Sequence, residues 1–365
     1  MVLLLIKHYT LSSVAFFLGF VSAVVQTAFS SSLREAFIGQ GVERFSSWMG
    51  YGWTLFLFFS LIASACALFL SGIENTAENI FKLTAFISVG AVGLITVYMF
   101  VSGIPAIAKI GFFDFVFGTR WAPVGTEVSF GILNMILASI FGCIGAIMIG
   151  VPIGLLTAVF LAEIAPKRLA SIIRPAVELL AGIPSVIYGF WGMKVLVPSI
   201  REFSTKIGYN STGSGLAAVI IILSIMILPT IIRVAETALR SVPESYTEAA
   251  LALGNTKIST IFSVQIPAAR SGILAGIILG VGRAIGETMA VIMVAGNIVQ
   301  FPSLFSSVRP MTAGIAFEMG YAEAGLHRQA LFAIGLILFI FIMFVNLSFS
   351  YLSGKGVRAD ARQKK

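Results

Sequence analysis

Glu-Ala-Ala-Leu-Ala-Leu-Gly at positions 248–254 is the most informative stretch of this chain, together with Val-Gln-Ile-Pro at 264–267. Both lie in the longest polar gap between two strongly apolar segments. Because Ala249 and Ala250 carry little side-chain bulk, another surface can approach the backbone closely here. A short helix of this kind, held between two membrane segments, implies an external partner.

The residues around this stretch predict a helix with defined ends. Ser241 and Glu244 have the spacing of a capping box, in which the serine hydroxyl accepts from the backbone N–H of Glu244 and the carboxylate reaches back. Gly254 suits the left-handed conformation that ends many helices. Asn255 or Thr256 is then placed to cap a second helix. The gap is therefore predicted to form two short helices.

The composition indicates an all-α polytopic membrane protein. Of the 365 residues, 58% are hydrophobic and 11% are charged, whereas roughly a quarter of the residues of a soluble domain are charged. A soluble fold has too little interior to bury so much apolar surface. The formal charge of +8 does not indicate nucleic-acid binding, because the basic residues are scattered through loops and the C-terminal tail.

Eight segments are apolar and long enough to cross a bilayer as helices, which takes about 20 residues. They lie at about 9–30, 51–72, 82–104, 131–162, 176–199, 214–235, 268–297 and 329–352. Gly182, Pro184 and Gly189 interrupt the fifth segment. Such breaks occur where neighbouring helices or a cavity satisfy the freed backbone groups.

The distribution of basic residues orients these segments, because cytoplasmic loops carry an excess of Lys and Arg. With the N-terminus in the cytoplasm, fourteen basic residues lie on the inner side and eight on the outer side. The inner set is Lys7, Lys82, Lys167, Arg168, Arg174, Arg233, Arg240, Lys257, Arg270 and five residues of the tail. The outer set is Arg34, Arg44, Lys109, Arg120, Arg201, Lys206, Arg309 and Arg328. The distribution predicts cytoplasmic N- and C-termini and places Glu248 in the cytoplasm without any use of its motif.

The residue types that support catalysis or metal binding are scarce. Cys66 and Cys143 both fall in apolar segments, which argues against a disulfide framework. His8 and His327 are the only histidines and no cysteine pair has metal-ligand spacing, so neither a metal nor a cofactor is expected. No Gly-x4-Gly-Lys-Ser/Thr phosphate loop occurs. We therefore expect no enzyme; if ATP drives this protein, another chain hydrolyses it.

Several motifs carry a family resemblance. The stretch at 248–267 resembles the EAA loop of ABC-importer permeases, whose helix docks into an ATPase subunit. The other motifs are Leu-Ala-Glu-Ile-Ala-Pro at 161–166, Glu-Leu-Leu-Ala-Gly-Ile-Pro-Ser-Val-Ile-Tyr-Gly-Phe-Trp-Gly at 178–192, Gly-Arg-Ala-Ile-Gly-Glu-Thr-Met-Ala at 282–290 and Gly-Leu-His at 325–327. Over about residues 80–352 the chain resembles the permeases of phosphate ABC importers. The Gly-Glu-Thr-Met-Ala element favours their PstC branch over their PstA branch.

The resemblance implies a type I ABC-importer permease bundle of six core transmembrane helices in the bacterial inner membrane. Because eight segments are counted here, the first two are extra N-terminal spans, and a polar turn at 71–76 marks their end. The predicted domains are an N-terminal extension (1–80), the permease core (81–352) with its coupling loop at about 240–267, and a basic cytoplasmic tail (353–365).

The resemblance also implies a function and partners. The chain is expected to form the pathway for inorganic phosphate together with a second, PstA-like permease subunit. A PstB-like ATPase dimer is expected on the cytoplasmic side and a PstS-like phosphate-binding protein on the outer side. Membrane lipid is the remaining partner, and no nucleic acid is expected.

We assign ATPase coupling to Glu248, Ala249, Ala250, Gly254 and Pro267. These residues carry the match to the EAA loop, and their spacing is much less common than Glu-Ala-Ala alone. The alternative is that the loop is only an interfacial connector between two spans.

We assign the translocation pathway to Arg283, Glu287, Thr288, Pro184 and Ser185. Arg283 and Glu287 are four residues apart and so share a helix face, where they can pair inside the membrane. An arriving phosphate then competes with Glu287 for the guanidinium, whose planar fork suits oxyanions. The break at Pro184 and Ser185 exposes backbone amides, which favour anions. The alternatives are a salt bridge that only fixes helix packing and a kink that binds nothing.

Three other functions are compatible with parts of the sequence. A permease for sulfate, molybdate or phosphonate is the nearest, and the Gly-Glu-Thr region argues against it. An ion-coupled secondary transporter needs titratable groups inside several spans, and Glu287 is the only clear carboxylate there. A membrane enzyme needs a nucleophile, a base or a metal set, which the sequence lacks.

Overall fold

The computed structural model describes residues 73–125 and 127–363. The spans predicted at 9–30 and 51–72 lie outside the described residues. The described chain divides into two compact units, the second of which begins at Phe100. The domain boundaries predicted at 80 and 352 stay predictions.

Most described residues are helical, because long apolar segments in a bilayer must satisfy their backbone groups internally. The α-helices are α1 (Ile73–Ile110), α2 (Phe112–Phe117), α3 (Leu133–Val159), α4 (Lys167–Gly182), α5 (Ser185–Trp191), α6 (Val197–Lys206), α7 (Leu216–Arg240), α8 (Glu244–Ala252), α9 (Lys257–Thr260), α10 (Ile266–Ala268), α11 (Arg270–Gly286), α12 (Met289–Val294), α13 (Met311–Glu318) and α14 (Leu326–Gln363). Short π-helical segments continue α3, α5 and α9, at Phe160–Ile164, Gly192–Leu196 and Ile261–Gln265. The two strands β1 (Trp121–Ala122) and β2 (Ser129–Phe130) pair antiparallel, with Trp121 opposite Phe130.

Four of the described helices are long and apolar enough to cross a membrane: Glu78–Ile110, Leu133–Ile164, Leu216–Arg240 and Leu326–Ser348. They match the segments predicted at 82–104, 131–162, 214–235 and 329–352. Two helix pairs, each bent at a short break, pass the same test together. Counting each pair as one span gives up to six spans in the described residues, the number that a six-helix permease core requires.

The first bent pair is α4 with the helix Ser185–Lys206, whose axes differ by 95°. Proline explains this bend, because Pro184 lacks the N–H that continues a helix and drives the preceding residue into an extended conformation. Ile183 is extended accordingly, with φ −69° and ψ 125°. The interruption predicted in the fifth segment is confirmed.

The segment predicted as one span at 268–297 is wrong as a single helix. Its first part, α11, is bent by 72° from the helix Lys257–Ala268 and ends at Gly286. Glu287 is extended, with φ −69° and ψ 128°, and α12 begins only at Met289. Glycine is a poor helix former, and the Glu287 carboxylate accepts a hydrogen bond at the start of the next helix. The hydropathy of a segment indicates that it lies in the bilayer but does not indicate whether it forms one continuous helix. The break at Glu287 was therefore not predicted.

Helix α7 packs closely against both α3 and α11. Small residues allow this approach, as is common between membrane helices. A Cβ added at Gly150 of α3 would lie 2.6 Å from the Ile227 side chain, and one at Gly276 of α11 would lie 3.1 Å from Val234. The C-terminal part of α7 is therefore positioned by two neighbours, and it leads directly to α8.

The orientation in the membrane is tested by labelling single cysteines. In a background with Cys66→Ala and Cys143→Ala, we expect a membrane-impermeant maleimide to label Ser303→Cys in intact cells, because Ser303 is exposed in the loop that precedes Arg309. Lys257→Cys, also exposed, is expected to react only after permeabilisation, and a reporter fused after Lys365 is expected to be cytoplasmic. Labelling of Lys257→Cys in intact cells would contradict a cytoplasmic coupling loop.

Candidate functional site

The predicted coupling loop folds as short helices. α8 is followed by Leu253 and then by Gly254 at φ +87°, the left-handed conformation predicted for it. A Cβ added at Gly254 would meet no atom within 4 Å, so the backbone angle and not a lack of space favours glycine. Of the two predicted capping residues, Thr256 is the one that caps α9, because its hydroxyl accepts from the backbone N–H of Ser259 at 3.3 Å.

The capping box predicted at the start of α8 is wrong. Pro243 precedes the helix and makes no side-chain cap. Ser241 ends α7 instead, and its hydroxyl donates to the carbonyl of Ala238 at 2.7 Å. Because so few residues separate α7 from α8, Ser241 still belongs to the last turn of α7, where its hydroxyl finds a carbonyl acceptor.

Large apolar side chains are exposed on this loop, although it lies in a polar gap. Leu253 is 87% exposed and Ile258 is 66% exposed. We call the set the coupling patch; its members are Tyr246, Leu251, Leu253, Ile258 and Phe262. Exposed apolar surface bordered by polar residues is typical of a contact site for another protein.

The predicted coupling residues divide between the surface and the interior. Glu248, Ala249, Gly254 and Pro267 are exposed on the same loop. Ala250 is 6% exposed and belongs to the interior. Its small side chain therefore allows α8 to pack on the rest of the chain, and the approach of a partner concerns the other four.

A buried glutamine ties α8 to the end of α3. Gln265 is 5% exposed, and its Nε2 donates to the Glu163 carboxylate and to the Thr247 hydroxyl, both at 2.9 Å. Glu163 lies in the π-helical segment that continues α3, and Thr247 lies in α8. From the sequence, Gln265 was recognised only as part of a motif, and this role was not predicted. A lone amide in an otherwise apolar stretch was the available signal.

A second polar cluster, also missed from sequence, lies beside the first. Glu236 of α7 is 8% exposed, and its Oε1 accepts from Arg174 Nε at 2.7 Å and from Arg240 Nε at 3.0 Å. Both guanidinium groups also donate through Nη2 to the carbonyl of Leu161, at 3.3 and 3.1 Å. We call Arg174, Glu236 and Arg240 the arginine clamp.

The Leu161 carbonyl is free for the clamp because of local geometry. In the π-helical segment the hydrogen bonds run five residues, as from Ala165 N–H to the Phe160 carbonyl. The same pattern would join Leu161 to residue 166, which is Pro166 and has no N–H. Two guanidinium groups take its place, and cations are favourable at a helix C-terminus.

The two broken helices meet inside the bundle. α5, which begins after Pro184, packs against α12, which begins after the break at Glu287 and Thr288. A Cβ added at Gly189 of α5 would lie 2.9 Å from the Cα of Ala290. The structure therefore brings together the two interrupted segments that carry the predicted pathway residues.

Arg283 and Glu287 do not pair in this structure. Because α11 ends at Gly286, Glu287 leaves the helix and no longer shares a face with Arg283. Its carboxylate accepts from the backbone N–H of Ala290 at 3.1 Å, and its carbonyl accepts from the Thr312 hydroxyl at 3.0 Å. Arg283 is half-buried and makes no hydrogen bond or ion pair with any residue that the structure describes.

The remaining pathway residues frame the same breaks. The Thr288 hydroxyl donates to the Gly286 carbonyl at 3.3 Å. Pro184 is exposed and Ser185 half-buried at the start of α5. Tyr188 of α5 bridges the bend, since its hydroxyl donates to the Leu180 carbonyl of α4 at 2.7 Å. This hydrogen bond joins α4 to α5 across the bend.

A third polar cluster surrounds Glu318, which is 2% exposed. Its carboxylate accepts from Trp121 Nε1 at 2.9 Å, faces His327 Nε2 at 2.9 Å and forms an ion pair with Arg309. Arg309 Nε also donates to the Asn297 carbonyl at 2.8 Å. These contacts hold the loop after α12 to α13 and to the start of α14. His327, known from sequence only as part of a motif, takes part in packing here.

The chain matches the family of binding-protein-dependent transport system inner membrane components over residues 150–358. It is 36% identical over 286 residues to the probable ABC transporter permease protein YqgH of Bacillus subtilis, covering 77% of this chain and 91% of that protein. It is 36% identical over 297 residues to the phosphate transport system permease protein PstC of Mesorhizobium japonicum, covering 77% and 89%. PstC of Pasteurella multocida is 38% identical over 256 residues, with 66% and 79% covered.

A solved structure shares the fold. A bacterial alginate ABC transporter in complex with a periplasmic protein bound to an alginate pentasaccharide contains a chain that matches with a TM-score of 0.51. The two are 16% identical, and the match covers 77% of this chain and 95% of the other. At this identity the match concerns the fold alone.

Proposed function

The chain belongs to the family of binding-protein-dependent transport system inner membrane components, and on this premise we propose that it is the PstC-type permease subunit of an ATP-driven phosphate importer. A member of this family is a multi-pass membrane protein that works with an ATPase and a substrate-binding protein. The match covers most of the length of the named PstC relatives, whose names support phosphate as the cargo.

The observation that carries the proposal is the half-buried guanidinium of Arg283, which makes no hydrogen bond or ion pair among the described residues. A charge inside a membrane bundle is costly unless it serves a partner or a pathway. Here the nearest carboxylate in sequence, Glu287, accepts from the Ala290 N–H and does not pair with Arg283. A planar guanidinium can bind two oxygens of one phosphate. Arg283 is thus suited to attract the anion.

Glu287 then sets how firmly the anion is held. Its carboxylate is four residues from Arg283 and, among the described residues, is hydrogen-bonded only to the backbone N–H of Ala290, which it can release when the breaks rearrange. When the Glu287 carboxylate pairs with Arg283, it displaces phosphate from the guanidinium, and the anion moves on toward the cytoplasm. Ser185 and Thr288 lie on the segments that meet at the breaks and supply hydroxyl donors for the same anion.

Energy enters through the coupling loop. An ATPase subunit docks on the coupling patch and the exposed residues Glu248, Ala249, Gly254 and Pro267, with a second, PstA-like permease completing the membrane part. The PstB-like ATPase pair lies on the cytoplasmic side, with both termini of this chain, and a PstS-like protein delivers phosphate from outside. This chain itself only forms and switches the pathway.

Reconstitution of the complex tests the proposal. In proteoliposomes with the partner permease, the ATPase and the binding protein, phosphate is expected to stimulate ATP hydrolysis and radiolabelled phosphate to accumulate. Sulfate, molybdate and phosphonate are expected to have no such effect, and a non-hydrolysable ATP analogue is expected to abolish uptake. Stimulation by another oxyanion would show that this oxyanion, and not phosphate, is the cargo. Uptake driven by an ion gradient without ATP would contradict the mechanism.

A further inference from the structure

We call the π-helical segment Phe160–Ile164 the relay segment. Residues from other parts of the chain form hydrogen bonds to it at two points. Its Leu161 carbonyl accepts from two arginines of the clamp. Its Glu163 carboxylate accepts from Gln265. π-Helical turns are rare and occur frequently at functional sites. The segment therefore joins the coupling loop to two membrane helices.

The first contact connects the relay segment to the docking surface. Gln265 Nε2 donates at 2.9 Å to both Glu163 and Thr247, and Thr247 lies in α8 between the exposed residues Tyr246 and Glu248. The Oε1 atom of Gln265 is buried and has no hydrogen-bond partner among the described residues. A buried carbonyl without a partner is unfavourable, so an apolar side chain would serve stability at least as well. The amide is explained by the two groups it joins.

The second contact connects the relay segment to the pathway. Arg174, which donates to the Leu161 carbonyl, lies in α4. α4 ends at the Pro184 break, and Tyr188 bridges that break by its hydrogen bond to Leu180. α5 in turn packs against α12, whose first turn is held by Glu287. A continuous set of contacts thus leads from α8 to the segment that carries the predicted pathway residues.

We propose that the relay segment transmits movement of the coupling loop to α4 and that Gln265 is the positioning residue for this transmission. When a docked ATPase displaces α8, the Thr247–Gln265–Glu163 contacts pull the relay segment, and the clamp carries the shift to α4 and the break. The proposal rests on the proposed function. Without the tether, the ATPase still docks on the coupling patch and hydrolyses ATP, but less substrate crosses per ATP.

Two substitutions of Gln265 test this. Gln265→Leu keeps a buried side chain of similar size and removes the tether, so it is expected to fold. Gln265→Glu sets two carboxylates against each other. We expect each variant to keep its ATPase bound and to import about tenfold less phosphate per ATP hydrolysed, the factor that corresponds to the loss of one hydrogen bond to a charged group.

An exchange of the two side chains supplies the rescue. With Glu163→Gln and Gln265→Glu together, an amide again faces a carboxylate and the Thr247 hydroxyl can donate to it. We expect this double variant to recover the phosphate-per-ATP ratio to within about twofold of the unmodified complex. Glu202→Gln is the matched control for Glu163→Gln, because it removes only an exposed ion pair with Lys206.

The outcomes separate the relay from the proposed function. If the unmodified complex imports phosphate and all variants keep its phosphate-per-ATP ratio, the relay is wrong and the proposed function stands. If Gln265→Leu loses the ATPase itself, the residue serves docking, which also overturns the relay. If the unmodified complex imports another oxyanion, the proposed cargo is wrong and the same ratio, measured with that anion, decides on the relay.

Discussion

Arg283→Gln is expected to lower phosphate uptake by at least about 100-fold while the complex still assembles. Each hydrogen bond between a charged donor and an oxyanion contributes about 1.5–3 kcal/mol, so losing the two that a guanidinium fork can make costs about 3 kcal/mol or more, a factor of at least about 100. The fold of this chain is expected to be preserved, because Arg283 makes no hydrogen bond or ion pair with the described residues that the substitution would break. Uptake of radiolabelled phosphate into proteoliposomes measures the effect.

Three further variants make this result specific. Arg233→Gln removes an exposed arginine on α7 and is expected to leave uptake unchanged. Arg283→Lys keeps the charge without the planar fork, so its uptake is expected to lie between that of the unmodified complex and that of Arg283→Gln. Exchanging the charges, with Arg283→Glu and Glu287→Arg, is expected to assemble but fail to import. Normal uptake in the exchanged complex would contradict a role in translocation and leave only packing.

The exchange has a cost that the sequence did not reveal. On a continuous helix, the two charges would simply change places over one turn. Here the Glu287 carboxylate accepts from the Ala290 N–H at the start of α12, and an arginine cannot accept. Loss of this hydrogen bond costs about 1 kcal/mol. The single substitution Arg283→Gln is therefore the cleaner test.

Composition and proline placement predicted most of the described bundle. Apolar length alone located the four described helices that are long and apolar enough to cross a membrane, because a bilayer leaves a chain few ways to satisfy its backbone. Pro184 located the bend after α4, since proline acts on its own neighbours and needs no tertiary information. Gly254 was predicted for the same reason: its left-handed angle is a property of the turn itself.

The contacts that join distant segments were not predictable in this way. Gln265 and Glu163 are 102 residues apart, and Arg174 and Glu236 are 62 apart. No local pattern relates such residues, because their meeting depends on how α3, α4 and α7 pack. Pro166, directly after an apolar helix, was the one sequence signal that a carbonyl near Leu161 would lack its partner.

Local rules also failed where two elements competed for one residue. Ser241 has the spacing of a capping residue for α8, yet its hydroxyl bonds to the end of α7. Glu287 has the spacing of a helical partner for Arg283, yet the helix ends one residue before it. In both cases the spacing rule assumed an element boundary that tertiary packing placed elsewhere.

Gly254→Arg is expected to release the ATPase while leaving the permease in the membrane. Gly254 is exposed beside Leu253 of the coupling patch, and an added Cβ meets no atom within 4 Å. The substitution therefore costs only the left-handed backbone angle, roughly 1 kcal/mol. At an interface the same side chain adds a bulky, charged group to an apolar contact. Loss of a central contact costs at least about 2 kcal/mol, so co-purification of the ATPase should weaken by about 30-fold or more.

Gly208→Arg is the matched control, because Gly208 is also exposed, has φ +80° and has no atom within 4 Å of an added Cβ. It carries the same backbone cost at a position outside the coupling loop, so it is expected to retain the ATPase and import phosphate. Ala249→Arg, on the exposed side of α8, is expected to act like Gly254→Arg without any backbone cost. If both loop variants kept the ATPase and normal uptake, the exposed patch would be a connector surface. The ATPase would then dock on another part of this chain, because a subunit docked on the patch cannot accommodate an arginine at either position without losing apolar contact.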